Sequence, residues 1–389
     1  MKMPALSVPA ALAIGLMLTS TLPAQEERLP ERGRAGGRGQ QTERVVSPVV
    51  NPNRTITFAL RAPAAHAVRA EIWTPPTTTS VPMTKDEKGV WRGASPVLEP
   101  DLYYYHLEVD GVITRDPGAT WLKGDSKDLM CVIEVPGKKN PPWNVRPGIA
   151  HGALTHHLFD SKAAGDVRGL NVYTPPSYSR TKHEYPVLYL LHGAGGDETR
   201  WVDVGLIDRL MDNWIADGKI GEMIVVVTAN RLGGGGAPPA AASSGPSPLE
   251  RYFLEEIMPF VEGRYRVSKA RAKTAVAGFS MGGSQTLQLA MKHPDRFGAL
   301  AVLSGAIRGN LMETYPLLRD TARVNREFPV FYVVCGEHDP LKSAAQVFDK
   351  ELTQAGIKHH YLTSPGGHAY KVDWPMLEKF LADFTIAAR

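Results

Sequence analysis

The chain has 389 residues, of which 43% are hydrophobic and 22% charged, so its length suits two globular domains and its composition is that of a globular protein. The formal net charge of +4 is small for this length, and neither a lysine-rich run nor a zinc-finger spacing indicates binding to nucleic acid. The two cysteines, Cys131 and Cys335, lie in separate apolar stretches, which predicts two buried free thiols, with a disulfide between them as the alternative.

Residues 1–24 have the pattern of a secretory signal peptide. Lys2 precedes an apolar run from Ala10 to Leu18, and Ala24 provides a small residue before a cleavage point. The run is too short for a transmembrane anchor, so we expect the mature protein to be secreted or periplasmic, with no membrane contact after cleavage. Residues 25–47 are rich in Arg, Glu, Gly and Gln without an apolar period, which predicts a disordered leader.

Short strands with alternating apolar residues are predicted over residues 48–136. A typical stretch is Ile56–Leu60, and Asp110-Gly111 is a two-residue hairpin turn signal. Strands of this length and spacing predict a small all-β, immunoglobulin-like sandwich. Residues 137–150 break the pattern with Pro, Gly and Lys and are predicted to be a linker.

Strands alternate with helices over residues 151–389, which predicts a mostly parallel sheet covered by helices on both faces. The expected strands are the apolar runs Leu170–Tyr173, Val187–Leu191, Met223–Thr228, Thr274–Ala277, Ala299–Leu303, Pro329–Val334 and His359–Leu362. The expected helices include Ile207–Ala216, Leu249–Glu262 and Ala344–Ala355. In sheets of this kind the active site lies at the carboxyl ends of the strands.

The most informative motif is a serine between glycines, Gly278-Phe279-Ser280-Met281-Gly282. A strand pattern precedes it and a helical pattern follows it, which is the context of a nucleophile elbow. The glycines fit because such a serine is held in a strained turn against the strand and the helix. We therefore predict that Ser280 is a nucleophile and that the N–H of Met281 is an oxyanion donor. A tight strand–helix connection without a catalytic role is the alternative.

A nucleophilic serine needs a base and an orienting carboxylate, which follow it in the order Ser, acid, His in this architecture. Asp339 follows one predicted strand, and His368 follows the next. We assign His368 as general base and then acid, and Asp339 as the orienting acid, with Glu337 as the rival acid. The glycine-rich loop after another strand supplies Ala194, whose N–H is the predicted second oxyanion donor.

Other residues near these motifs have two interpretations. Asp197, Trp201 and Trp374 are candidates for shaping an acyl pocket, although tryptophans also serve as core residues. Segment 232–248 is either a mobile surface loop or a flap beside the site. The aromatic candidates for stacking on sugar rings, or for ordinary packing, are Trp73, Trp91, Trp121 and Tyr104.

Three histidines, His151, His156 and His157, lie close together in the sequence. They match no metal-ligand motif, and neighbouring residues of a strand point to opposite faces. We therefore predict no metal at these histidines, and the predicted serine mechanism requires neither a metal nor an organic cofactor.

The motifs together resemble the esterase D/feruloyl-esterase type of α/β-hydrolase, the carbohydrate esterase family 1 type. The resemblance spans most of residues 151–389 and implies an oxyanion hole formed by the N–H groups after His192-Gly193 and after Ser280. The preceding segment resembles early-set sandwiches of the carbohydrate-binding module 48 type. The matching motifs are Val172–Tyr178, Leu190–Gly196, Gly278–Gly283, Gly336–Asp339 and Gly366–His368 with Trp374 following, and in the β-rich segment Lys88–Trp91 and Tyr103–Tyr105.

These features predict a secreted serine carboxylesterase that removes feruloyl or acetyl groups from plant polysaccharides. Its partner is an ester-bearing carbohydrate or a small-molecule ester, and its oligomeric state is open. An esterase for siderophore trilactones, or an acyltransferase, would use the same catalytic residues. A glycan-binding protein with an inactive hydrolase domain is the alternative from another class.

Overall fold

The computed structural model describes residues 45–123, 130–232 and 245–388. The predicted signal peptide, nearly all of the predicted leader and most of segment 232–248 lie outside these ranges. Among the described helices, none combines the length and the apolar content needed to cross a bilayer.

Two β-sheets packed on a common core form the first part of the described chain. Within the described residues, one sheet has the strand order β1-β2-β6-β5 and the other β4-β3-β7-β10-β9, with β8 paired to β7. Apolar side chains of both sheets, among them Phe58, Ile72 and Tyr105, share this core. The predicted all-β region is confirmed, while its domain boundaries remain predictions. The strands are β1 (Val49–Val50), β2 (Ile56–Arg61), β3 (Val68–Thr74), β4 (Thr77–Pro82), β5 (Thr84–Lys85), β6 (Val90–Ala94), β7 (Asp101–Val109), β8 (Val112–Thr114), β9 (Leu122–Lys123) and β10 (Met130–Val135).

A larger sheet follows, with the order β11-β12-β14-β13-β15-β16-β17-β18 in the described chain. The pairs from β14 and β13 to β18 are parallel, whereas β11 and β12 run antiparallel at one edge. This confirms the predicted mostly parallel sheet. The strands are β11 (Ala153–Ser161), β12 (Asp166–Thr174), β13 (Val187–Leu191), β14 (Ile224–Thr228), β15 (Thr274–Phe279), β16 (Ala299–Leu303), β17 (Val330–Gly336) and β18 (His360–Ser364).

Helices cover both faces of the larger sheet. Along β13, Val187, Tyr189 and Leu191 belong to one apolar core, while Leu188 and Leu190 belong to the core on the opposite face. The alternation of side chains along a strand produces this division. The helices are α1 (Arg200–Asp203), α2 (Ile207–Ala216), α3 (Pro248–Arg251), α4 (Met258–Arg264), α5 (Met281–Lys292), α6 (Leu311–Thr314), α7 (Thr321–Glu327), α8 (Lys342–Gln354) and α9 (Tyr370–Ala387), with a π-helical stretch Tyr252–Ile257 joining α3 to α4.

The edge strand β11 was not among the predicted strands. Its side chains are mostly exposed, so its sequence lacks the apolar run that marked the other strands. By contrast, both cysteines behave as predicted, because Cys131 in β10 and Cys335 in β17 are buried and free.

A mostly buried lysine links strand β7 of the smaller sheets to helix α9. The Nζ of Lys371, in the first turn of α9, lies 3.3 Å from Asp101 Oδ2 and also donates to the carbonyl of Leu102. The Lys371 side chain is only 10% exposed. Burial lowers the pKa of Lys371, although the Asp101 carboxylate opposes this shift. Strand β7 is thereby attached to the helix that directly follows His368.

Candidate active site

Ser280 lies between strand β15 and helix α5 in a strained backbone conformation. Its φ is 56° and its ψ is −114°, a region that residues other than glycine rarely adopt. A β-carbon on Gly278 would lie 2.3 Å from the Gly282 carbonyl oxygen, and one on Gly282 would lie 2.6 Å from the Leu191 oxygen. The close approach of these backbones explains the glycines of the motif. The strand–turn–helix context predicted for Ser280 is present.

His368 connects Ser280 to Asp339. Its Nε2 lies 3.0 Å from Ser280 Oγ, and its Nδ1 lies 2.7 Å from Asp339 Oδ2. Asp339 follows β17 and His368 follows β18, and the carboxyl ends of these adjacent parallel strands meet at one edge of the sheet. Glu337 is exposed to solvent. Of the two predicted acids, the structure therefore pairs Asp339 with the histidine.

The Asp339 carboxylate is enclosed, with none of its side chain exposed. Burial alone would raise the pKa of Asp339, but the hydrogen bonds from His368 and from the N–H of Leu341 outweigh it and lower the pKa. An ionised Asp339 accepts from Nδ1–H of His368, which leaves the Nε2 lone pair facing Ser280. This arrangement suits proton removal from the serine hydroxyl.

A second buried carboxyl group lies behind this site. Asp373 on α9 is fully buried, and Ser304 Oγ lies 3.4 Å from its Oδ1. Its Oδ2 has no hydrogen-bond partner among the described residues. Burial raises the pKa of Asp373 well above its usual range, and the nearby Asp339 carboxylate adds to the shift despite the Ser304 hydrogen bond. This shift favours the protonated, neutral form of Asp373.

We expect Asp373→Asn to increase the free energy of unfolding more at pH 7.5 than at pH 4. The unfolded side chain ionises near its ordinary pKa of 3.8, whereas the folded one, whose pKa is raised, keeps its proton to a higher pH. The free energy of unfolding of the wild type therefore falls as the pH rises from the pKa of the unfolded side chain toward that of the folded one. An amide does not ionise, so the variant shows no such fall. Urea unfolding of both proteins at the two pH values measures the difference. An equal effect of the substitution at both values would contradict the neutral acid.

The glycine-rich loop after β13 lies against the nucleophile. A β-carbon on Gly193 would lie 3.2 Å from Ser280 Cβ. The N–H of Gly193 is not available to a ligand, since it donates to Tyr370 Oη at 3.0 Å. By contrast, no described backbone or side-chain group accepts from the N–H of Ala194 or Met281. These two donors, the ones predicted for an oxyanion hole, are free to meet a ligand oxygen.

His192 fixes the shape of this loop. Its Nδ1 lies 2.7 Å from the Gly193 carbonyl oxygen, and its Nε2 accepts from the N–H of Asn230 at 3.2 Å. Burial lowers the pKa of His192 to about 4, so the ring is neutral at neutral pH. Sequence reasoning missed Asn230 and Tyr370 as supports of the loop. Their positions in the sequence could have indicated this role, because Asn230 closely follows strand β14 and Tyr370 lies two residues after His368.

The structure corrects the interpretation of two tryptophans as pocket residues. Trp201 is fully buried, with its Nε1 donating to the Leu191 carbonyl at 2.8 Å. Trp374 is 3% exposed and packs against Trp143. Neither indole has surface to offer a substrate, so both are core residues. Asp197 is exposed, and its Oδ1 accepts from the N–H and hydroxyl of Thr199.

The histidines near the start of this region have separate partners. His151 Nδ1 lies 2.8 Å from Asp212 Oδ2, while His157 Nε2 lies 2.5 Å from Tyr265 Oη. In the described part of the chain, no group of three or more His, Cys, Asp or Glu side chains is arranged to hold a metal ion.

Comparison with protein families places the region of the larger sheet in a known family. The model of the family named Esterase matches residues 161–376, more than half of the 389-residue chain. The chain belongs to this esterase family. The resemblance found in the sequence motifs is thereby confirmed at the level of the family.

Relatives of this esterase extend the comparison beyond the family model. An endo-1,4-beta-xylanase/feruloyl esterase of Xylanibacter ruminicola is 30% identical over 324 residues, which is 82% of this chain. The esterase spans only 43% of that relative's length.

Solved structures give the same fold. A ferulic acid esterase has a TM-score of 0.53 and 25% identity, covering 62% of this esterase and 100% of that chain. The enterochelin esterase of Shigella flexneri has a TM-score of 0.66 and 17% identity, covering 87% of this esterase and 94% of that chain. The second likeness establishes the fold, and its coverage extends into the β-rich region.

Proposed function

We propose that the protein is an exported serine carboxylesterase that removes feruloyl or acetyl groups from plant polysaccharides. One observation carries the chemistry: Ser280, His368 and Asp339 form a continuous hydrogen-bonded chain, with distances of 3.0 and 2.7 Å, at the carboxyl edge of the sheet. The feruloyl esterase relative, at 30% identity over 82% of the chain, supports the choice of acyl group. The proposed export rests on the sequence of residues 1–24.

The first half of the reaction acylates the serine. Ser280 Oγ attacks the ester carbonyl carbon while His368 Nε2 takes the hydroxyl proton. The negative charge on the carbonyl oxygen is met by the N–H groups of Ala194 and Met281. When the tetrahedral intermediate collapses, the bond to the alcohol oxygen breaks and His368 returns the proton to that oxygen.

The second half releases the acid. A water molecule gives a proton to His368 and attacks the acyl carbon, forming a second tetrahedral intermediate on the same two N–H donors. The bond to Ser280 Oγ then breaks, and the serine regains its proton from His368. Asp339 remains ionised throughout and keeps the histidine ring oriented. In this cycle every proton is passed through His368.

A substrate panel tests the proposal. The mature protein is assayed with methyl ferulate, p-nitrophenyl acetate, acetylated xylan and a catechol-bearing siderophore trilactone. We expect ferulate release from methyl ferulate. Acetate release alone would move the activity to deacetylation, and hydrolysis of the trilactone alone would replace polysaccharide with siderophore esters. Absence of turnover on all four would contradict an esterase and favour the glycan-binding alternative.

A further inference from the structure

A cavity of 370 Å³ lies beside His368, and both parts of the chain contribute to its lining. From the β-rich region come Trp73, Pro75 and Tyr104, and from the loops around the histidine come His338 and Pro340. Residues more than two hundred positions apart in the sequence therefore form one wall next to the proposed catalytic base.

Trp73 is the central residue of this wall. It lies near the end of β3, just before the two-residue turn Pro75-Pro76 that leads into β4. Its ring is stacked on buried Tyr104, with centroids 5.8 Å apart and planes 27° apart. The indole reaches the histidine loop, since a β-carbon on Gly367 would lie 3.5 Å from Trp73 Cζ2. Trp73 is partly exposed, so a rigid aromatic surface remains available in the cavity.

The position of the cavity indicates which half of an ester it would receive. Its lining includes His368 but not Ser280, Ala194 or Met281. In the proposed reaction the oxyanion faces the two N–H donors, while the leaving oxygen must lie close to His368 to receive its proton. A cavity on the histidine side therefore adjoins the alcohol and not the carbonyl oxygen.

The composition of the wall indicates the chemistry of that alcohol. Among the described residues, the lining contains no carboxylate, lysine or arginine and is dominated by aromatic and proline rings. Such a surface suits an uncharged ligand with an extended C–H face, which an aromatic ring can contact closely. A pyranose or furanose ring has this face, with hydroxyl groups at its edge that can meet the exposed His338.

We propose that the cavity is the alcohol subsite of the esterase, in which a sugar ring of the polysaccharide stacks on Trp73. This inference rests on the proposed function and assigns to the β-rich region a direct part in choosing the leaving group. Specificity for polysaccharide esters over simple alkyl esters would then depend on a residue outside the family-matched segment 161–376.

A comparison of two substrates with the same acyl group tests the inference. Methyl ferulate has a methyl group as its alcohol, whereas a feruloylated arabinoxylan trisaccharide has a sugar. We expect Trp73→Ala to lower the ratio of kcat/KM for the trisaccharide over methyl ferulate about tenfold, mainly through KM. Trp73→Phe should recover part of the ratio.

Trp121→Ala is the matched control, because it removes an indole from the same region. The guanidinium carbon of Arg209 lies over the Trp121 ring, 5.5 Å from the ring centroid, and Trp121 does not line the cavity. It should keep the wild-type ratio. An equal loss on both substrates in Trp73→Ala would overturn the inference, because it would mean a general effect on the histidine loop. An unchanged ratio would overturn it as well.

A binding measurement separates this inference from the proposed acyl specificity. Calorimetry with ester-free arabinoxylotriose is carried out on Ser280→Ala and on Ser280→Ala combined with Trp73→Ala. We expect the second substitution to weaken binding at least tenfold. Equal binding by the two proteins, or no binding by either, would overturn the sugar subsite. If wild type hydrolyses neither ferulate ester, the feruloyl function fails, and the binding result alone decides the subsite.

Discussion

Ser280→Ala is expected to lower kcat on methyl ferulate by about 10⁴- to 10⁶-fold. The substitution removes the nucleophilic oxygen, so an acyl-enzyme cannot form, while the two free N–H donors of Ala194 and Met281 remain. Residual turnover would reflect binding and oxyanion stabilisation alone. The measurement is the steady-state rate of ferulate release by wild type and variant at matched concentrations.

Ser284→Ala is the control for this substitution. Ser284 lies one turn further along α5, where its hydroxyl donates to the Ala306 carbonyl at 2.7 Å. Its loss should cost about 1 kcal/mol of stability and leave kcat within about twofold. Wild-type turnover in Ser280→Ala would refute the serine mechanism. Equal unfolding midpoints for the Ser280 variant and wild type exclude misfolding as the cause of an inactive protein.

Asp339→Asn is expected to lower kcat by about 10⁴-fold while leaving the fold intact. An amide in this position can donate to His368 Nδ1 instead of accepting from it, which places the ring proton on Nε2. That nitrogen then cannot accept from Ser280 Oγ, from which it is separated by 3.0 Å. Steady-state kinetics on methyl ferulate measure the effect.

Glu337→Gln distinguishes the two acids on the same loop. Glu337 is exposed, so its replacement should leave kcat within about twofold. A larger loss in Glu337→Gln than in Asp339→Asn would reverse the assignment of the orienting acid. Comparable losses of kcat in both variants would mean that activity depends on the conformation of the loop and not on one carboxylate.

The parts of the site that the sequence could predict are those dictated by local backbone chemistry. Buried strands require apolar runs, and the close packing of Gly278 and Gly282 against neighbouring carbonyls admits no side chain. Because parallel strands share one carboxyl edge, the loops carrying Asp339 and His368 could be expected to converge.

The parts that could not be predicted depend on contacts between distant segments. Nothing near Trp73 in the sequence shows that its indole reaches the loop of Gly367, because that contact joins strand β3 to a loop almost three hundred residues later in the chain. Similarly, Trp201 and Trp374 lie close to catalytic motifs in the chain, yet their side chains point into the core. Distance along the sequence carries no information about which face of an element is covered.

The attachment at Lys371 limits how this chain can be divided or recombined. Removal of the β-rich segment would take away Asp101 and the Leu102 carbonyl, both oxygen partners of an ammonium group whose side chain is only 10% exposed. It would also remove Tyr104 from a core shared with α9. The Lys371 ammonium group would then face water, and so would the apolar surface that Tyr104 covers in this core, which costs roughly 25 cal/mol per Å² of apolar surface exposed. We therefore expect the region of the larger sheet to be stable in a fusion protein only when the β-rich region is included with it.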